Sequence, residues 1–181
     1  GVRRKTYCNK GRRITDCTLS SDKPKSVMDF AILPHIICLT MASPEFHLNK
    51  SKQDLVCKFA NQIVDQSIEN GIDPTLTVAL IYIESGWDKD AVSHAGACGL
   101  SQVIPKYTGS KLTKTKRYTC EQLKNPKNSI SAGIKTLRYW VHEYGKGRVR
   151  VGLCGYSSGF RCKGKGKLKR GYRYAKKVLK V

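Results

Sequence analysis

From residue 51 onward, apolar positions recur with the period of a helix. Leu55, Val56, Phe59, Ala60, Ile63 and Val64 fall on one face behind Ser51-Lys52-Gln53-Asp54, which fits a capping box, and Asn70-Gly71 marks the stop. Asp73-Pro74 then opens a second helix, with aspartate as N-cap and proline at the first helical position. Its run Leu76, Val78, Ala79, Leu80, Ile81 and Ile83 is apolar on nearly every side, which places it at the centre of a fold, and Gly86 is its natural terminator. A third long helix starts at Asn125-Pro126, carries Ile130, Ile134, Leu137, Val141 and Tyr144 on one stripe, and ends at Gly145. Shorter helices are expected at Val149 to Tyr156 and at Arg170 to Leu179, and a small hairpin between Lys111 and Tyr118. The pattern predicts a mostly α fold: one helical domain over residues 49–181, preceded by a basic N-terminal arm over residues 1–48.

That arm contains the longest apolar stretch, Val27 to Ala42, which is broken by Asp29, Pro34 and His35 and falls short of a membrane span. Two readings stand for it. It is the hydrophobic part of a signal sequence starting at Met28, or an appendage that docks on the domain; the basic residues upstream favour the second.

Charge sharpens the picture. The 181 residues hold 34 Lys and Arg against 13 Asp and Glu, a net +21, which draws the chain to polyanions such as nucleic acid, anionic lipid or a bacterial wall. Thirteen of the cations, and no acid, lie between Lys146 and Val181; eight lie in the first 27 residues against Asp16 and Asp22. A charged face is also what ordinary solvation produces, so charge alone does not choose a partner. The eight cysteines show no CxxC spacing and no nearby histidine, which argues against zinc and for an oxidising compartment, although buried free thiols satisfy the same count. Proximity in sequence suggests Cys8–Cys17, Cys98–Cys120 and Cys154–Cys162. No metal or cofactor is implied, and the four histidines lack ligand spacing.

Candidate chemistry centres on Glu84, a carboxyl at the C-terminal end of the most apolar helix. Desolvation and the negative end of the helix dipole both disfavour its ionised form, which suits a general acid for glycoside cleavage. The plain alternative is a glutamate pointing to solvent from a helix end. The residues that follow decide between them. ESGWDKDAVSHAGACGLSQVIP from Glu84, LKNPKNSISAGIKTLRYWVHEYG from Leu123, GYSSG over Gly155 to Gly159 and YAKKVL over Tyr174 to Leu179 resemble, in order, the motifs of the lytic transglycosylase family with the lysozyme-like α+β fold.

The resemblance covers roughly residues 51–181. It implies peptidoglycan glycan strands as substrate, with Glu84 as the sole catalytic acid and base and 1,6-anhydro ends as product. It further implies that Ser85, Ser101 and Gln102 line the sugar cleft, that Tyr156 and Ser157 contact the saccharide, and that Tyr174 orients Glu84. Ser101 stands where the family usually has methionine and Ser157 where it usually has asparagine, which bears on glycan preference. Residues 1–48 match nothing in the family; with their charge they suggest attachment to a phage virion or a secretion assembly, and a virion-associated or exported protein acting on the wall. Asp88 and Asp90 read as turn and cap residues; if one reached the sugar, the chemistry would be that of a hydrolytic lysozyme. Trp87 is a candidate for stacking on sugar, whereas Trp140, on a stripe edge, reads as core. A non-enzymatic basic protein binding nucleic acid or virion components on the same scaffold is the third reading, although no specific nucleic acid is predicted.

Overall fold

The computed structural model describes residues 27–162 and 169–181, with side chains described over 31–162 and 170–181. The Cys8–Cys17 pairing and most of the basic stretch Lys163 to Arg170 lie outside the described residues. Helix α1 spans Val27–Met41, α2 Lys50–Glu69, α3 Pro74–Ser85, α4 Cys120–Lys124 and α5 Pro126–Arg138. A π-helical segment over Tyr139–Tyr144 continues α5, followed by α6 over Val149–Ser158 and α7 over Lys169–Val178. Among the described residues there is no strand, only isolated bridges joining Val92 to Cys98 and Cys98 to Val103.

Helix α3 is the axis of the fold because its two faces serve different clusters. Val78 and Ile81 pack with Val56, Ala60, Ile63 and Val64 of α2 and with Ile130 and Ile134 of α5. On the other face, Ala79 and Leu80 pack with Leu137, Val141, Leu153, Ala175 and Val178. A helix apolar all round has no solvent face to offer, so it is enclosed on both sides. Its ends are set by local chemistry. The Asp73 carboxylate accepts from Thr75 N–H, Pro74 takes the first helical position, and Gly86 closes the helix in the left-handed region at φ 55°.

Helix α1 lies against α2, with Ile37 and Met41 buried in the α2–α3–α5 cluster and Cys38 bonded to Cys57 of α2. Proximity had not suggested that pairing, whereas Cys98–Cys120 and Cys154–Cys162 form as expected. Other expectations are corrected. The α2 cap is Asn49, whose side chain accepts from Lys52 N–H at 3.0 Å, so the helix starts before Ser51 and no capping box forms there. The capping box of this chain is at Thr119 and Gln122, opening the unpredicted α4. Residues 111–118 form turns held by Thr108, Ser110 and Thr115 hydroxyls instead of a hairpin. The third long helix is α only to Arg138; beyond it the backbone widens into the π segment, which Gly145 ends as expected.

Candidate active site

Glu84 occupies the last turn of α3, and burial dominates its chemistry. Removal from water pushes its carboxyl from the ordinary 4.5 up to about 7, against a smaller downward pull from the Tyr174 hydrogen bond. The Tyr174 hydroxyl, on α7, donates a short hydrogen bond to Glu84 Oε1. Burial first, and then the charge of Glu84, raise the Tyr174 phenol far above its usual range, so it remains a donor at any ordinary pH. Among the described residues, no second carboxylate and no lysine or arginine contributes to the Glu84 shift.

A third helix brings Tyr156 within the field of Glu84. Its phenol is likewise pushed up, by burial and then by Glu84, and its hydroxyl donates to the Ser101 carbonyl at 2.7 Å. Here the loop after Glu84 returns to the site. Gly99, Leu100, Ser101 and Gln102 turn back across α5, where the Ser101 N–H donates to Ser129 Oγ at 3.0 Å. The approach is so close that a Cβ on Gly133 would sit 2.3 Å from Ser101 Oγ. Small residues on one stripe of α5, Ser129, Ala132 and Gly133, make that contact possible, and the loop is clipped to α4 by Cys98–Cys120.

The site residues expected from sequence divide accordingly. Glu84, Tyr156 and Tyr174 are gathered from three helices by the contacts above. Ser101 reaches Tyr156 through its backbone carbonyl, and its side chain, 1% exposed, packs against Gly133. Gln102, at φ 48°, spends both amide hydrogens on the loop, donating to Ala91 O at 3.0 Å and Gly99 O at 2.9 Å. Ser85 Oγ donates to Ile81 O within its own helix at 3.3 Å, and the exposed Ser157 donates to Cys154 O at 3.2 Å. Trp87 is 1% exposed in the core cluster, with no hydrogen-bond partner for its Nε1–H among the described residues, so its face is not presented to a sugar. Asp88 and Asp90 are exposed: Asp88 Oδ1 accepts from Asp90 N–H at 2.9 Å, a turn contact, and Asp90 pairs with Lys89 at 2.7 Å. Trp140 packs edge-on to Tyr139 and Tyr144 and lies against Gly155, where a Cβ would meet its ring at 2.4 Å.

Ser129 and Gly133 were missed as parts of the site. The signal was present, since three small residues at i, i+3 and i+4 of an otherwise apolar helix mark a close approach.

Such an arrangement can hold one proton on a half-buried carboxyl near neutral pH, release it to an adjacent oxygen, and take another back. Known proteins are similar to this chain in sequence. Membrane-bound lytic murein transglycosylase C of Mannheimia succiniciproducens is 32% identical over 91 residues, covering 48% of this chain and 26% of that protein. Endo-type membrane-bound lytic murein transglycosylase A of Klebsiella pneumoniae is 40% identical over 71 residues, 37% of this chain and 35% of that protein. The chain thus spans about a quarter to a third of the length of these relatives.

Two solved structures share the fold at 18% identity. An inactive mutant of lytic transglycosylase Slt from Pseudomonas aeruginosa superposes with a TM-score of 0.56 over 83% of this chain and 29% of that one. The 70 kDa soluble lytic transglycosylase of Escherichia coli gives 0.55 over 87% and 30%. The mostly helical, lysozyme-like fold expected from the motifs is the fold found. The transglycosylase SLT domain model matches residues 62–179, from the middle of α2 to the end of α7, and the chain belongs to that family.

Proposed function

We propose that this protein is a peptidoglycan lytic transglycosylase that cleaves the β-1,4 bond between N-acetylmuramic acid and N-acetylglucosamine, with Glu84 as its only acid and base. The observation that carries the reading is a single half-buried carboxyl whose pKa is raised by desolvation to about 7, held by a tyrosine donor. Protonated Glu84 gives its proton to the glycosidic oxygen as the C1–O4 bond breaks, and the substrate's acetamido oxygen takes the place of the leaving group at C1. The Glu84 carboxylate then removes the proton of the C6 hydroxyl, whose oxygen displaces the acetamido oxygen. A 1,6-anhydro end forms, the proton is back on Glu84, and no water enters. A pKa near the working pH serves both halves, because an acid that is too strong would be ionised before the first step and one that is too weak would make a poor donor. Tyr174 holds the carboxyl in one orientation through both.

Digestion of purified peptidoglycan by the wild type and by Glu84→Gln tests the reading. Products lighter by one water, lost in the variant, are expected. Hydrated reducing ends would assign the protein to the hydrolytic lysozymes and turn attention to Asp88 and Asp90. An unchanged digest from Glu84→Gln would refute Glu84 as the acid, and no products from either protein would leave a basic binding module.

The wall, reached on a virion or by export, is the proposed place of action, with the basic N-terminal segment attaching the enzyme to a phage or secretion assembly. The eight cations in residues 1–27 and the start of the family match at residue 62 support this. Pull-down with the full chain and with a chain lacking residues 1–26 keeps the Cys38–Cys57 link intact; equal recovery would argue against the arm.

A further inference from the structure

Where α5 passes into the π segment, the surface holds an open cleft of about 500 Å³, lined by none of the residues gathered around Glu84. Its loop wall is Lys111, Leu112 and Lys114; its helical wall is Arg138, Tyr139 and Glu143, with Lys146 in the turn that follows. The three lysines are exposed and make no ion pair among the described residues, whereas Arg138 lies 3.6 Å from Glu143. Four cations, one carboxylate and a half-buried tyrosine ring therefore line the same cleft.

Backbone conformation sets this cleft apart from a merely solvated basic face. Five described residues other than glycine have positive φ: Trp87 and Gln102 frame the Glu84 loop, Lys114 (53°) and Lys146 (54°) line this cleft, and His47 lies elsewhere. A side chain with a Cβ adopts that region at a cost, and such strain collects at ligand sites. The π segment that supplies Tyr139 and Glu143 is also a backbone irregularity common at functional positions.

The lining suits a particular chemistry. Lysines serve as mobile point charges for carboxylates, and Glu143, 53% exposed beside Arg138, is the one carboxylate of the lining. Leu112, 55% exposed, and the Tyr139 ring offer apolar contact to short aliphatic side chains. A phosphate polymer carries no ammonium to set against Glu143, whereas a peptide with a free amine does. The helix that backs Ser101 at Gly133 runs on without a break to Tyr139 in the cleft wall. We propose that this cleft binds an acidic peptide, the carboxylate-bearing stem peptide of the wall strand whose glycan lies at Glu84. The assignment rests on the reading of the Glu84 site given above.

Anisotropy of a fluorescein-labelled alanyl-glutamyl-diaminopimelyl-alanine peptide tests it without any turnover. Lys111→Gln/Lys114→Asn/Lys146→Asn removes the three free cations, with asparagine chosen at the positions of positive φ because it tolerates them. The dissociation constant is expected to rise by about tenfold. A variant removing as many charges elsewhere, Lys58→Gln/Lys127→Gln/Lys180→Gln, is expected to change it by less than about twofold. On peptide-bearing strands the cleft variant should raise KM with kcat unchanged, and on peptide-stripped glycan it should change neither. Absence of peptide binding by the wild type, or equal loss in both variants, overturns the proposal. Displacement by inorganic polyphosphate more readily than by free peptide overturns the choice of ligand. If peptide binding behaves as expected while the digests lack anhydro ends, the fault lies in the reading of Glu84 and not in the cleft.

Discussion

Glu84 makes folding stability depend on pH in a direction opposite to that of most carboxylates. Its pKa in the folded chain is about 7 against an ordinary 4.5, so the folded state binds the proton more tightly than the unfolded state does. The stabilisation this provides is fully present below pH 4.5 and is lost as pH rises through 7. At about 1.4 kcal/mol per pH unit of displacement, the loss amounts to about 3 kcal/mol. Glu84→Gln abolishes the titration while leaving an oxygen to accept from Tyr174. Any constant packing or hydrogen-bonding offset of the amide cancels when the difference between variant and wild type at pH 4 is subtracted from that at pH 8.5. The variant should therefore gain about 3 kcal/mol on the wild type between these two pH values, roughly 6–12 °C in Tm for a chain of this size. Thermal and urea denaturation of both proteins at both pH values measure it. A difference that stays flat would show that Glu84 is solvated, and the argument for a neutral acid would fall with it.

Three more outcomes follow from the same geometry. Tyr174→Phe removes the hydrogen bond that pulls the Glu84 pKa down, so the alkaline limb of kcat/KM should move upward from about pH 7 while the rate falls on the order of tenfold; a limb that moves down or stays in place would contradict the assigned donor. Gly133→Ala drives a Cβ to 2.3 Å from Ser101 Oγ and should cost about 1–3 kcal/mol in urea denaturation, with part of the loss recovered by adding Ser101→Gly. Cys98→Ala/Cys120→Ala opens a link between residues 22 apart and should cost about 3 kcal/mol, with activity lost as the Ser101–Gln102 loop comes free of α4.

Sequence was most informative where a short stretch determines its own geometry. Asp73-Pro74 and Gly86 fix both ends of α3 through a side-chain cap, a missing N–H and a left-handed residue, none of which needs a distant partner. Cys154–Cys162 joins residues only 8 apart and was legible for the same reason. Cys38–Cys57, 19 apart, is a shorter link than Cys98–Cys120 at 22; it was overlooked because Cys38 lies in the stretch read as an arm outside the domain. Around α2, Asn49 and Ser51 compete as caps, and the side chain that reaches Lys52 N–H wins. Trp87 lies beside Glu84 in sequence and looked like a sugar platform; Gly86 turns the chain so that the indole enters the core. The π segment escaped detection because its apolar stripe is the same as that of the α-helix before it.

A chain with 34 lysines and arginines is a poor environment in which to keep a carboxylic acid neutral, since every nearby cation would draw its pKa down. The fold resolves this by segregation. Glu84 is reached through apolar α3 and enclosed by tyrosines from α6 and α7, and among the described residues no lysine or arginine contributes to its shift. Helix α7 illustrates the division: Tyr174 turns inward to the acid, while Arg173, Lys176 and Lys177 beside it are exposed. One helix thereby supplies a neutral donor to a water-poor site and positive charge to the surface. Phenols suit the inner role, because they can hold the carboxyl by a hydrogen bond without bringing the full charge that would ionise it.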